Sequence, residues 1–221
     1  MEVYTKDELI HKLQQLSAMG WVRNGRFGNY GGIGNTLEDY LGITENNLPI
    51  PNAAEWELKT QRARTQAFTT LFHLEPSPRA LQFVTDKLLP LYGWRHKEAG
   101  TKYPAGEMSF RQTISGVAPS DRGFIVKVDR SQSKVLISFD AGSVDVRHDK
   151  WKRDVENRVG LGELNPQPYW GFRDLEHKAG TKLLNCFYVQ AEVKREGGQE
   201  YYWYNKIQML QEFDFAGFLQ A

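Results

Sequence analysis

A chain of 221 residues with 40% hydrophobic and 13% aromatic side chains is long enough to bury its own core, which excludes the disordered and the disulfide-stapled classes. Its 28 Lys and Arg against 27 Asp and Glu leave a formal net charge of +1, so a surface for a polyanion must be a local patch. The single cysteine, Cys186, can form no internal disulfide and, without a CxxC pair or Cys/His cluster, no zinc site. Lying in the apolar run Leu183 to Val189, it reads as a buried strand residue. No basic leader precedes an apolar stretch, and no apolar run approaches the roughly 20 residues that span a bilayer. The expectation is a soluble protein of the reducing cytoplasm, with no membrane partner.

Thr5 and Glu8 form a capping box, and Leu9, Leu13 and Leu16 share one face of a helix running to Met19, where Gly20 stops it. The glycine-rich stretch Asn24 to Gly34 precedes a short helix opening near Asn35 or Thr36, with Ile33, Leu37, Tyr40 and Leu41 on its inner face. Glu55 to Thr60 alternates charged and apolar residues, as a half-buried strand does, and Phe68 to Leu74 is its expected partner. Ser77-Pro78 predicts an N-cap and first helical position, with Leu81, Val84, Leu88 and Leu91 repeating at helical spacing to Gly93. Strands are predicted over Phe110–Ile114, Phe124–Val128 and Val135–Phe139, the last two as a hairpin. A helix near Lys150–Val159 follows. Leu183–Val193 and Tyr201–Met209 form a second hairpin across Gly197-Gly198, and Phe213–Gln220 closes the chain as a short helix. The sum is an α+β chain in two lobes.

Gly31-Gly32-Ile33-Gly34 before a helix suggests a phosphate-cradling loop. GxGxxG fails, however, because Leu37 stands where a glycine is needed, and no GKS or GKT follows. Close backbone packing is the plainer reading, and a loop with Arg26 and free N–H groups also suits a DNA backbone. Glu57-Leu58-Lys59 is the sharper signal. On a strand, Glu57 and Lys59 point to one face while Leu58 enters the core, so a carboxylate and an ammonium stand side by side. A phosphodiester hydrolase needs that pair: the carboxylate binds Mg²⁺, and the lysine orients water or stabilises the charged transition state. A solvated strand face with alternating charges is the bland alternative.

The longer string Gly32-x-Gly34-Asn35-Thr36-Leu37-Glu38-x-Tyr40-Leu41-Gly42, then Asn46-Asn47, then Pro51-Asn52-x4-Glu57-Leu58-Lys59-Thr60 resembles the MutH-like nucleases of the PD-(D/E)xK superfamily, in particular the MvaI/BcnI restriction endonucleases. The resemblance implies a restriction-endonuclease-like core with a mixed sheet flanked by helices, in a bilobal arrangement with DNA in the cleft. Residues 1–90 would be the catalytic lobe and 91–221 the DNA-recognition lobe. It further implies a bacterial or archaeal type II enzyme of a restriction-modification system: a monomer that cuts double-stranded DNA at a short site with Mg²⁺, beside a cognate DNA methyltransferase. A mismatch-repair nicking endonuclease like MutH, or a sequence-specific DNA-binding module that does not cut, is the alternative.

Position by position, Glu57 matches the metal-binding acid, Lys59 the catalytic lysine and Glu38 the supporting helical glutamate, and Leu58 falls within the metal set. Asn52 stands where the family has its first metal-binding aspartate. An amide is neutral and offers one oxygen, so Mg²⁺ binding there should weaken severely. Three readings of Asn52 follow, in order: an inactivating Asp-to-Asn change, a slipped alignment in which Glu55 substitutes, or a protein that binds DNA without cutting. A further basic residue of such sites, at the start of a later strand, matches Lys182 or Lys178. Candidate DNA contacts are basic residues interleaved with aromatics: Arg26, Arg62, Arg64, His73, Arg95, His96, Lys97, Lys102, Arg111 and Arg173, with Arg147-His148 and Tyr169-Trp170 beside them.

Overall fold

In the computed structural model, residues 4–26, 32–43, 56–65, 67–210 and 212–220 are described. Helix α1 (Lys6–Ala18) opens on the Thr5/Glu8 capping box and buries Leu9, Leu13 and Leu16. Gly20 follows at φ 74°, the left-handed region that glycine enters without strain. Strand β1 (Val22–Arg23) leads to helix α2 (Gly32–Tyr40), which starts earlier than Asn35. A Cβ at Gly32 would sit 2.9 Å from both the Asn24 amide and the Tyr202 hydroxyl, so close packing accounts for that glycine. Ile33, Leu37 and Leu41 are buried as expected, but Tyr40 is exposed and Thr36 takes the inner position. Strand β2 is Glu57–Arg62.

The helix predicted over Ser77–Gly93 is broken. Ser77 pairs with Tyr169 instead of capping. A single 3-10 turn, Arg79–Leu81, ends at Gln82 with φ 42°. A π-helical turn, Val84–Leu88, then runs into α3 (Leu89–Tyr92). Pro90 has no N–H for the α-helical ladder, and the wide turn lies just before it. β3 (Trp94–Arg95) and β4 (Met108–Ser109) form a two-stranded ribbon. Phe110–Ile114 is not a strand; Phe110 is held by ring contacts with Trp94 and Phe124 instead. The hairpin β5 (Arg122–Asp129) and β6 (Lys134–Val144) is longer than predicted, and α4 spans Asp149–Val159. β7 (Tyr169–Gly171) completes the sheet order β5-β6-β7.

Helix α5 (Phe172–Leu183) has no counterpart among the predicted elements. It is followed by the hairpin β8 (Cys186–Glu196) and β9 (Gln199–Leu210), then by α6 (Phe215–Phe218), which Asp214 caps. The second sheet runs β1-β9-β8-β2. β2 is its edge strand and pairs in parallel with β8, from Glu57↔Cys186 to Arg62↔Ala191. Phe68–Leu74 is therefore not its partner and forms no strand. A parallel pair needs a long crossover, and here everything between residues 62 and 186 supplies it.

Two compact units result, one of residues 1–73 with 177–221 and one of residues 74–176. They do not follow a single boundary at residue 90, because β8 and β9 return to pair with β2 and β1. In the first unit Leu9, Leu13, Leu37, Phe187, Val189, Tyr202 and Tyr204 form the core. In the second, Phe124, Phe139, Trp151 and Val155 do so with Leu88 and Tyr92. Each such side chain contributes about 1.5–3 kcal/mol when fully buried. No described helix is long and apolar enough to cross a membrane.

Candidate active site

Alternation along β2 sends Leu58 into the first unit's core and turns Glu57 and Lys59 to the other side. Lys59 Nζ lies 2.7 Å from Glu57 Oε1. The second oxygen, Oε2, accepts from Lys182 Nζ at 3.1 Å. Lys182 sits in the last turn of α5, not at the start of a strand. Asn185, at φ 57°, makes the tight turn from that helix into β8, a conformation asparagine tolerates better than most residues. Its carbonyl accepts from Glu57 N–H at 3.1 Å, so the same turn fixes the acid's backbone and brings Lys182 alongside. Glu57 is only 4% exposed. One buried carboxylate held between two ammonium groups fixes both cations at the pocket edge through charge-assisted hydrogen bonds.

Glu57, Lys59 and Glu38 line one open pocket of ≈ 500 Å³ along the edge of β2, with Gly34, Thr60 and Phe68. Cys186, the register partner of Glu57, is buried, and burial pushes its thiol up to about 11. It is a packing residue, as its apolar run predicts. Lys178 lies one turn before Lys182 on α5 and makes no described contact with Glu57. Asn52 and Glu55 fall outside the described residues.

The candidate DNA contacts separate into engaged and open groups. Arg26 is held by Asp39 through two hydrogen bonds of 3.1 and 2.7 Å. Arg62 grips Glu200 at 3.0 and 3.1 Å. Arg64 and His73 are exposed. In the second unit His96, Lys97 and Arg111 line a pocket of ≈ 600 Å³ with Trp94, Ser109 and Gln112. Arg95 donates to the Ala99 carbonyl, Lys102 lies over the Tyr103 ring, and Arg173 is exposed at the start of α5. His148 and Arg147 are both turned to Asp121.

Two groups are unmarked in the sequence. Glu200, beside Arg62, also accepts from Tyr202 and from Asn24. Burial would raise its carboxyl, but hydrogen bonds from Tyr202 and Arg62 outweigh that and hold it below the ordinary range. Tyr188, opposite Lys59 in the ladder, donates to Gln61. Neither pairing leaves a local signal, because both join β2 to strands distant in sequence.

The fold matches a solved structure of the restriction endonuclease MvaI with its cognate DNA substrate, at a TM-score of 0.75 and 24% identity, over 98% of this chain and 80% of that one. Against MvaI in the absence of DNA the TM-score is 0.48 at 23% identity, covering 100% and 80%. No curated protein matches the chain. The fold is thus the α+β restriction-endonuclease class expected from the sequence, with a mixed sheet and flanking helices. The model of the MvaI/BcnI restriction endonuclease family matches residues 10–221, and the chain belongs to that family. It is a sequence-specific DNA endonuclease by that membership.

Proposed function

We propose that the chain is a Mg²⁺-dependent type II deoxyribonuclease that hydrolyses double-stranded DNA at a short site, with Glu57, Lys59 and Lys182 at the reacting phosphate. The observation that carries this reading is the buried Glu57 carboxylate held between two lysines on an open polar pocket. Glu57 and Glu38 line one pocket and offer the hard oxygens a divalent cation takes, with the Leu58 carbonyl between the two site residues of β2. Both Glu57 oxygens are engaged by Lys59 and Lys182, so a cation would share them with the lysines. Among the described residues no group of three or more His, Cys, Asp or Glu is placed to hold a metal, and Mg²⁺ ordinarily keeps several waters in its shell. When bound, Mg²⁺ supplies an activated water and charge neutralisation.

The chain's own groups do the rest. Lys59, fixed by Glu57, orients the attacking water and stabilises negative charge on the phosphate oxygens. Lys182 adds a second cation from a rigid helix end, and Glu57 keeps both ammonium groups in place. Glu38 supports the acid from α2. The basic pocket of His96, Lys97 and Arg111 supplies DNA contacts from the second unit, with Arg64, His73, Arg95, Lys102, Arg173 and Lys178 as further contacts. Arg26 and Arg62 reach DNA only by leaving their carboxylate partners. The enzyme acts as a monomer, and a cognate methyltransferase protects the host site.

Asn52 supports a second reading, a DNA-binding protein that cuts very slowly or not at all, because an amide replaces the family's aspartate. Incubating plasmid DNA with the protein and Mg²⁺, then sequencing the ends, separates the two. Ends at one short sequence support the nuclease, and tight binding without cleavage supports the binder.

A further inference from the structure

Phe68 is 86% exposed at the rim of the Glu57 pocket. A phenylalanine left in water forgoes the stabilisation that burial brings, and hydrogen bonds fasten the backbone of its neighbour Ala67. Gln61 Nε2 donates to the Ala67 carbonyl at 2.7 Å, and the Thr65 hydroxyl accepts from Ala67 N–H at 3.1 Å. Gln61 is itself held by the Tyr188 hydroxyl, which lies 3.5 Å from Thr69 Oγ1. Gln61 shares the strand face of Glu57 and Lys59, so one face of β2 carries both the site and the fastening of its rim.

The chemistry of the segment indicates what the rim meets. From Leu58 to Leu74 the chain has no Asp or Glu, and beside Lys59 and Arg62, which are paired with Glu57 and Glu200, it has the exposed Arg64 and the hydroxyls of Thr60, Thr65, Thr69 and Thr70. Hydroxyls with an exposed cation suit a phosphate backbone, and an exposed aromatic ring among them suits the apolar faces of sugars or insertion at an unstacked base step.

We propose that residues 63–65 and 67–70 form a DNA-contacting lip beside the Glu57 site, in which Phe68 touches the duplex next to the cleaved bond and Gln61 is the positioning residue that presents it. This rests on the endonuclease reading above. A protein surface as partner would require a wide apolar patch around the ring, whereas the pocket it borders carries Glu38, Lys59, Thr60, Thr65, Thr69 and Thr70.

The test uses the full chain with p-benzoylphenylalanine in place of Phe68, irradiated with a labelled pool of random-sequence duplexes. The same label in place of Met19, 60% exposed elsewhere on this unit, is the control. Crosslinking from position 68 well above position 19 is expected. Phe68→Ala should weaken duplex binding roughly ten- to a hundred-fold, the range for losing one buried phenylalanine side chain from a contact, and Phe68→Leu should restore part of it. Gln61→Leu should weaken binding too, and combined with Phe68→Ala should add little, because both act on the same interaction. If the unaltered protein binds duplex DNA but position 68 does not crosslink and Phe68→Ala binds normally, the lip is overturned and the endonuclease reading stands. If the unaltered protein binds no duplex DNA, both are overturned.

Discussion

Replacing Lys182 by methionine keeps most of the aliphatic stem and removes only the charge that reaches Glu57 Oε2 at 3.1 Å. The lysine side chain is 13% exposed and the glutamate 5%, so solvent does little to replace the missing bond. A hydrogen bond to a charged group contributes about 1.5–3 kcal/mol. Part of that is offset, because Lys59 still neutralises the carboxylate. A net loss of about 1–2 kcal/mol is expected, which for a chain of this length lowers Tm by about 2–8 °C. Cleavage should suffer far more. Removing one preorganised donor from a developing charge costs about 10²–10³ in rate, so Lys182→Met should cut at least a hundred-fold more slowly at saturating Mg²⁺. Lys182→Arg, which keeps the charge but not the geometry, should fall between. The assays are thermal unfolding by circular dichroism and single-turnover cleavage of the preferred duplex, the latter with Lys182 replaced in the Asn52→Asp protein as parent. A Lys182→Met protein that melts normally and cuts at the parent rate would refute the role given to this residue.

Other expectations follow from the same structure. Glu200→Gln should lose about 2–3 kcal/mol at neutral pH, because the Arg62 and Tyr202 bonds lose their charged acceptor. Since the Glu200 carboxyl is held below its ordinary range, its stabilisation is present above the unfolded-state value and fades as pH falls through the lower folded value. Urea titrations from pH 7 to pH 3 should therefore show a flatter acid limb in Glu200→Gln than in the parent. Asn52→Asp should raise the single-turnover cleavage rate by orders of magnitude with little change in sequence preference; an unchanged rate points to Glu55 or to different chemistry. Duplex affinity should fall steeply with salt despite the net charge of +1. Arg111→Ala with Lys97→Ala should reduce the log–log salt slope by about one for each phosphate no longer neutralised, and an unaltered slope would remove that pocket from the DNA surface.

Features encoded within a few residues are legible in the sequence. The Thr5/Glu8 box, the two hairpins of β5–β6 and β8–β9, and the shared face of Glu57 and Lys59 all rest on short-range spacing, and the structure has each of them. What the sequence hides depends on pairing between distant segments. The parallel alignment of β2 with β8 cannot be read from either strand, and it displaces the expectation that Phe68–Leu74 would pair locally. Lys182 stands out as a candidate from the resemblance alone, which puts it on a strand, although Leu175, Ala179 and Leu183, all buried, repeat at helical spacing and mark α5. The helix expected from Ser77 fails because Ser77 is drawn into a bridge with Tyr169 and Pro90 interrupts the ladder. The Arg62–Glu200 pair likewise turns a candidate DNA-binding residue into a brace within the sheet.

If Glu57 and Lys59 form the hydrolytic site of a Mg²⁺-dependent, site-specific nuclease, cleavage must depend on both. That dependence is tested most directly by mapping the ends produced from plasmid DNA with Mg²⁺ by Asn52→Asp, with and without Glu57→Ala or Lys59→Ala added. Ends at one short sequence are expected from Asn52→Asp, with no cleavage but near-parent DNA binding once either site residue is replaced. Cleavage that persists without Glu57 or Lys59, or Asn52→Asp protein that binds DNA and never cuts it, would contradict the account.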